Sequence, residues 1–131
     1  MARRRILIID DDDAFRTIVR EALGKQGYEI REAANGREAL AQVGQFQPEL
    51  VLLDVMMPDM DGVTLCRELR AVPTMKDVPV LMVSALGDNQ TTNDALLFGA
   101  TDYVVKPVEL AQLRAKIDKA FQESENRRRM R

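Results

Sequence analysis

Leu50 to Gly62 reads LVLLDVMMPDMDG, and the fold turns on this stretch. Leu50 to Leu53 is an unbroken apolar run, and a strand covered on both faces reads this way. The run stops at Asp54, and Pro58, Asp59 and Gly62 behind it are residues that turn the chain. Two further runs rich in Ile, Val and Leu, Ile6 to Ile9 and Val78 to Val83, have the same character. Tyr28 to Ala33 instead alternates apolar with charged residues, and Tyr103 to Val105 is brief, so both belong nearer the sheet edges. In chain order these predict β1 (Ile6 to Ile9), β2 (Tyr28 to Ala33), β3 (Leu50 to Leu53), β4 (Val78 to Val83) and β5 (Tyr103 to Val105).

Helical periodicity fills the intervals. Phe15, Ile18, Val19, Ala22 and Leu23 form the stripe of α1, which Asp12 or Asp13 caps and Gly24 to Gly27 closes. Ala39, Leu40 and Val43 mark α2, where Asn35 and Glu38 have capping-box spacing with Asn in place of Ser or Thr. Val63, Cys66 and Leu69 mark α3, with Cys66 expected to be a buried, inert thiol. A more polar α4 is expected over Asp88 to Phe98. The last, α5, covers Glu109 to Phe121 and is amphipathic through Leu110, Leu113, Ile117 and Phe121. Strict strand–helix alternation predicts an α/β protein, a parallel sheet with helices on both faces. Buried β1, β3 and β4 between exposed β2 and β5 match the flavodoxin-like, doubly wound (βα)5 order 2-1-3-4-5.

At 131 residues the chain fits one domain with a core of its own, and an apolar fraction of 46% beside a charged fraction of 31% excludes disordered and membrane-embedded classes. Histidine is absent and cysteine occurs once, which removes His-based metal sites, Cys-His nucleophiles and disulfide frameworks. The apolar run after basic Met1 to Arg5 is too short for a signal-peptide core, and no run is long enough to span a bilayer. A cytoplasmic protein with no membrane association is expected. Residues 1–121 are expected to form the domain, and 122–131 a charged helical extension or linker. Gln122 to Arg131 lacks Gly and Pro, and Glu123 with Arg127, and Glu125 with Arg129, are spaced for pairing along a solvated helix. A truncated multidomain protein, a complete single-domain regulator and a frayed tail all fit that ending.

In an open parallel sheet, ligands bind beyond the carboxyl ends of the strands at the switch point. Those ends carry Asp10 to Asp13 after β1, Asp54 after β3, Ser84 after β4 and Lys106 after β5, while β2 delivers no polar group. Asp10, Asp11 and Asp54 opposed only by Lys106 would resist full ionisation unless a cation joined them. Oxygen ligands select a hard metal, and few carboxylates with room for water favour Mg²⁺. A carboxylate can itself be the nucleophile in phosphoryl transfer. Asp12 and Asp13 are read as helix caps, not as ligands.

ILIIDDD, LVLLDVMMPDMDG, VLMVSA and GATDYVVKP resemble, in order and spacing, the segments of bacterial response-regulator receiver domains of the chemotaxis-regulator type, over roughly Arg5 to Phe121. That resemblance implies Asp54 as phospho-acceptor, Asp11 and Asp54 as direct Mg²⁺ ligands, the Met56 backbone carbonyl as a third, and Asp10 acting through water. It also implies Ser84 and Lys106 as phosphoryl-binding groups, Tyr103 as the aromatic that reports the state, and a cis bond at Lys106-Pro107. Ser84 stands where threonine is commoner. Met56 and Leu86 occupy variable, rate-setting positions, and both are apolar here. The implied partners are a sensor histidine kinase or histidine phosphotransfer protein as donor, and a second copy or an output module on the α4-β5-α5 face. The implied protein is a switch that assists its own phosphorylation and dephosphorylation, not an enzyme acting on a separate substrate.

Two rivals share parts of this pattern. A phosphatase similar to haloacid dehalogenases would place its nucleophile after β1 and leave DVMMPDMDG unexplained. A flavodoxin-type carrier needs a Ser/Thr/Gly-rich phosphate loop where this chain has four aspartates. Direct nucleic-acid binding would rest on Arg127, Arg128, Arg129 and Arg131 alone, against a net charge of -2.

Overall fold

The computed structural model describes residues 3–85 and 99–130. Strands β1 (Arg5–Ile9), β2 (Glu29–Ala33), β3 (Leu50–Asp54), β4 (Val80–Ser84) and β5 (Asp102–Val105) pair in parallel in the order β2-β1-β3-β4-β5. This is the doubly wound, flavodoxin-like arrangement. Because successive side chains point to opposite faces of a strand, the central strands feed two separate cores. Leu7, Ile9, Val51, Leu53, Val80 and Met82 pack with α2 (Gly36–Phe46) and α3 (Gly62–Arg70). Ile6, Ile8, Leu50, Leu52, Leu81 and Val83 pack with α1 (Asp13–Gly24) and α5 (Leu110–Arg129). Expected α4 over 88–98, and Leu86, lie outside the described residues.

Side chains fix where the helices begin. Asp12, and not Asp13, caps α1, its Oδ1 accepting from the Ala14 and Phe15 N–H groups at 3.0 and 3.2 Å. Asn35 Oδ1 accepts from Glu38 N–H at 2.9 Å, while Glu38 Oε1 accepts from Ala34 N–H, one residue earlier than a standard capping box closes. Asp61 caps α3 by accepting from Thr64 N–H at 2.8 Å. The expected start of β4 moves from Val78 to Val80, because Val78 N–H is used in a turn to Met75 O after the 3-10 segment Pro73–Met75. Ile18 leaves the expected inward stripe and is 58% exposed, since Val19 and Leu23 already fill the inward face of α1. Leu110, the first residue of α5, is also exposed. Cys66 is fully buried, and burial pushes its thiol pKa up.

Helix α5 runs antiparallel to the strands. It starts beyond the carboxyl end of β5 and returns to Arg4, just ahead of β1. Arg4 pairs with Glu125, and its guanidinium lies 4.5 Å from the centre of the Phe121 ring. Tyr28 stacks on the same ring with centroids 5.8 Å apart. The expected pairing of Glu125 with Arg129 is therefore replaced by a contact across 121 positions of sequence. The aromatic face of Phe121 and the nearby strand start hold Arg4 where Glu125 can reach it.

Candidate functional site

Asp10, Asp54 and Ser84 are the buried polar or charged residues among those described, and all three lie at the carboxyl end of the sheet. Asp10 directly follows β1, while Asp54 and Ser84 end β3 and β4. Register keeps these ends level, with Asp54 opposite Val83 and Ser84 opposite Val105. Carboxylate oxygens of Asp10, Asp11 and Asp54 all lie within 4.8 Å of one another. Asp10 and Asp54 are 1% and 5% exposed, whereas Asp11 opens to solvent.

The β1–α1 turn folds around Asp10. Its Oδ1 accepts from Asp12 N–H at 2.9 Å, its Oδ2 takes Lys106 Nζ at 2.8 Å, and its carbonyl accepts from the Arg16 guanidinium at 2.5 Å. Lys106 Nζ stands 3.9 Å from Asp54 Oδ2 and 4.4 Å from the centre of the Phe15 ring. Its close partner is thus Asp10, with Asp54 in reach. Asp54 Oδ1 accepts from Met56 N–H at 3.3 Å. Burial, and after it the charge of Asp10, push the Asp54 pKa up to about 6, against the opposing pull of Lys106 and the Met56 N–H. Behind Asp54 the loop closes through Gly62 N–H to Val55 O at 2.6 Å. A Cβ at Gly62 would lie 2.5 Å from Asp54 O, so only glycine permits this approach.

This donor set suits a divalent cation. Three carboxylates supply only oxygen, two of them are withdrawn from water, and one lysine opposes three negative charges. Hard cations with incomplete protein coordination match that chemistry. An open depression of about 490 Å³ lies beside the cluster, lined by Asp11, Val55, Met56, Met57, Pro58 and Asp61.

Tyr103, on β5, is 8% exposed and faces the core shared with α2 and α3. Its hydroxyl is buried without a hydrogen-bond partner among the described residues. The Lys106-Pro107 peptide is cis.

Residues 6–118 match the family model described as "Response regulator receiver domain". The chain belongs to the response regulator receiver family. A CheY-like receiver domain from Methanospirillum hungatei superposes with a TM-score of 0.90 at 31% identity, over 96% of this chain and 99% of that one. Chemotaxis protein CheY4 of Vibrio cholerae does so with 0.88 at 30%, over 91% and 99%. Among curated relatives, the probable transcriptional regulator ycf27 of Cyanophora paradoxa is 42% identical over 95% of this chain and 51% of its own length. The DNA-binding dual master transcriptional regulator RpaA of Synechocystis is 41% identical over 86% and 47%. The receiver chain spans about half the length of these two relatives.

Four residues of this receiver that the sequence did not assign to the site touch it or brace its loops. Phe15, read as core, also contacts Lys106. Arg16, not singled out, holds the Asp10 carbonyl and pairs with Glu32 of β2 at 3.1 Å. Asp59 and Gly62, read as turn residues, fix the loop behind Asp54. Strand β2 adds no side chain to the cluster, as expected, and its Ala33 O accepts from Asp10 N–H at 3.1 Å. The run of four aspartates followed by Arg16 could have signalled the second of these, since a lone cation one helical turn past an acidic turn tends to fold back on it.

Proposed function

We propose that this receiver domain takes a phosphoryl group onto Asp54 in a Mg²⁺-dependent reaction and changes conformation at its α4-β5-α5 face. The observation that carries this reading is the Asp54 carboxylate at the end of a central strand, with Asp10 and Asp11 within 4.8 Å and Lys106 Nζ at 3.9 Å. Mg²⁺, when bound, supplies charge neutralisation and in-line orientation for phosphoryl transfer. Asp11, Asp54 and the Met56 backbone carbonyl would hold it, with Asp10 acting through water.

An ionised Asp54 oxygen attacks phosphorus. The new P–O bond forms as the P–N bond to a donor histidine breaks, and the imidazole leaves with the electron pair. Lys106 is already drawn to the site by Asp10, so it can pair with a transferred phosphoryl oxygen by moving a short distance. Ser84, at the neighbouring strand end, supplies a hydroxyl to another. The donor is a sensor histidine kinase or histidine phosphotransfer protein, and the domain assists its own phosphorylation and dephosphorylation without a separate substrate.

Tyr103 supports the switching half of the proposal. Its buried hydroxyl has no hydrogen-bond partner among the described residues; leaving such a group unsatisfied costs about 1–3 kcal/mol, so the inward ring is disfavoured enough for a modest change beside it to reverse. Movement of Ser84 toward a phosphoryl group is such a change. The face so altered would serve a second copy or an output module.

Acetyl phosphate with Mg²⁺ is expected to add one phosphoryl mass to the wild type and none to Asp54→Asn. Asp11→Asn is expected to weaken Mg²⁺ binding before anything else. Labelling of Asp54→Asn at the wild-type rate would refute the assignment.

A further inference from the structure

Both loops that bear the acidic cluster lean on the junction of β2 and α2, Glu32 to Gly36, which contributes no carboxylate to the cluster. On one side, Asp10 N–H donates to Ala33 O at 3.1 Å, and Arg16 links the Asp10 carbonyl to Glu32. On the other, Asp59 reaches out of the β3–α3 loop and both its oxygens accept from Gly36 N–H, at 3.2 and 3.0 Å. Gly36 is the first residue of α2, and its N–H has no acceptor within the helix. A carboxylate there also meets the positive end of the helix dipole. Asn35 is occupied elsewhere, its Oδ1 taking Glu38 N–H, so Asp59 and Asn35 cap different donors of the same helix. The approach is close: a Cβ on Gly36 would stand 3.3 Å from Asp59 Oδ2 and 3.3 Å from Met60 Cβ.

The loop from Val55 to Asp61 leaves β3 at Val55, whose N–H donates to Val83 O of β4 at 3.2 Å, and joins α3 at Asp61, which caps that helix. Gly62 N–H to Val55 O and Met56 N–H to Asp54 Oδ1 are internal to the loop and its strand, so they set its shape and not its position. Between those ends, the hydrogen bond among the described residues that joins the loop to an element other than β3, β4 and α3 is Asp59 on Gly36. We propose that Asp59 is a positioning residue for the metal site, holding the Met56 segment at a fixed distance from Asp10 and Asp11 through the β2–α2 junction on which both loops rest. The inference rests on the reading that the acidic cluster binds Mg²⁺.

Calorimetric titration of Mg²⁺ into wild type, Asp59→Ala, Asp59→Asn and Asn35→Ala, with thermal melts of each, tests it. Asp59→Ala is expected to weaken Mg²⁺ binding by about 10-fold, the low end for an outer partner of a metal site. Asp59→Asn keeps an oxygen that can accept from Gly36 N–H, and is expected to restore most of that affinity. Asn35→Ala removes the other cap of α2 and is expected to lower the melting temperature while leaving Mg²⁺ affinity unchanged. Wild-type affinity in Asp59→Ala overturns the inference. So does equal weakening in Asp59→Asn, which would mean lost charge, or in Asn35→Ala, which would mean general loosening. Absence of Mg²⁺ binding by the wild type removes the metal reading itself, and this inference with it.

Discussion

Asp54 carries an unfavourable charge in the metal-free fold. Its pKa rises from the ordinary 3.8 to about 6, chiefly through burial and then through Asp10. The folded state thus binds this proton more tightly than the unfolded state does. Whatever stability the protonated group confers is complete below about pH 4 and is lost as the pH rises through about 6. In Mg²⁺-free buffer at pH 8, Asp54→Asn is expected to be more stable than wild type, by roughly 1–3 kcal/mol after allowing for solvent screening. The gap should close toward pH 4. Urea unfolding at both pH values checks this, and a wild type that is the more stable at pH 8 would show that Lys106 outweighs burial. Adding Mg²⁺ should raise the wild type's stability and leave Asp54→Asn little changed. The acceptor was legible in the sequence because it ends an apolar run at a strand terminus. The pairing of Arg16 with Glu32 and the contact of Asp59 with Gly36 were not, because each joins residues of different elements, and no periodic pattern in one points at the other.

At the scale of elements, local rules read well and long-range ones poorly. The three capping residues Asp12, Asn35 and Asp61 act within three positions of themselves, which is why two of them could be anticipated from spacing. Helix α5 behaves otherwise. Spacing along it offered Glu123–Arg127 and Glu125–Arg129, but Glu125 binds Arg4, and Phe121 is covered by both Arg4 and Tyr28. Tyr28 adds a hydroxyl contact to Asp118 at 3.3 Å. The stretch after Phe121 is therefore anchored at its first turn. Arg4→Ala is expected to speed amide exchange at residues 122–126 while leaving the strands protected. Hydrogen exchange read by mass spectrometry would reveal this, and an unchanged rate would assign the helix's persistence to propensity alone.

For the whole molecule, strand order and site placement followed from one regularity: Ile6–Ile9, Leu50–Leu53 and Val80–Val83 are buried on both faces, and polar groups appear where they stop. Ile18 escaped because helical phase alone does not say how wide the buried stripe will be. The same geometry makes signalling testable. Ser84→Ala keeps Asp54, Asp11 and Lys106, so phosphorylation is expected to proceed, with Tyr103 shifting only partly by NMR; a full wild-type shift would sever the link from Ser84 to Tyr103. Length matters as well. Helix α5 has 20 residues and extends about 30 Å, whereas a five-residue strand covers about 16 Å. The helix runs away from the acidic crevice and overhangs the opposite end of the sheet, where Arg4 steadies it. A molecule grafted by its last residues to a sensor surface or a fluorescent reporter would stand on a built-in stalk. Its acid cluster would point into the bulk, open to any donor in the flow.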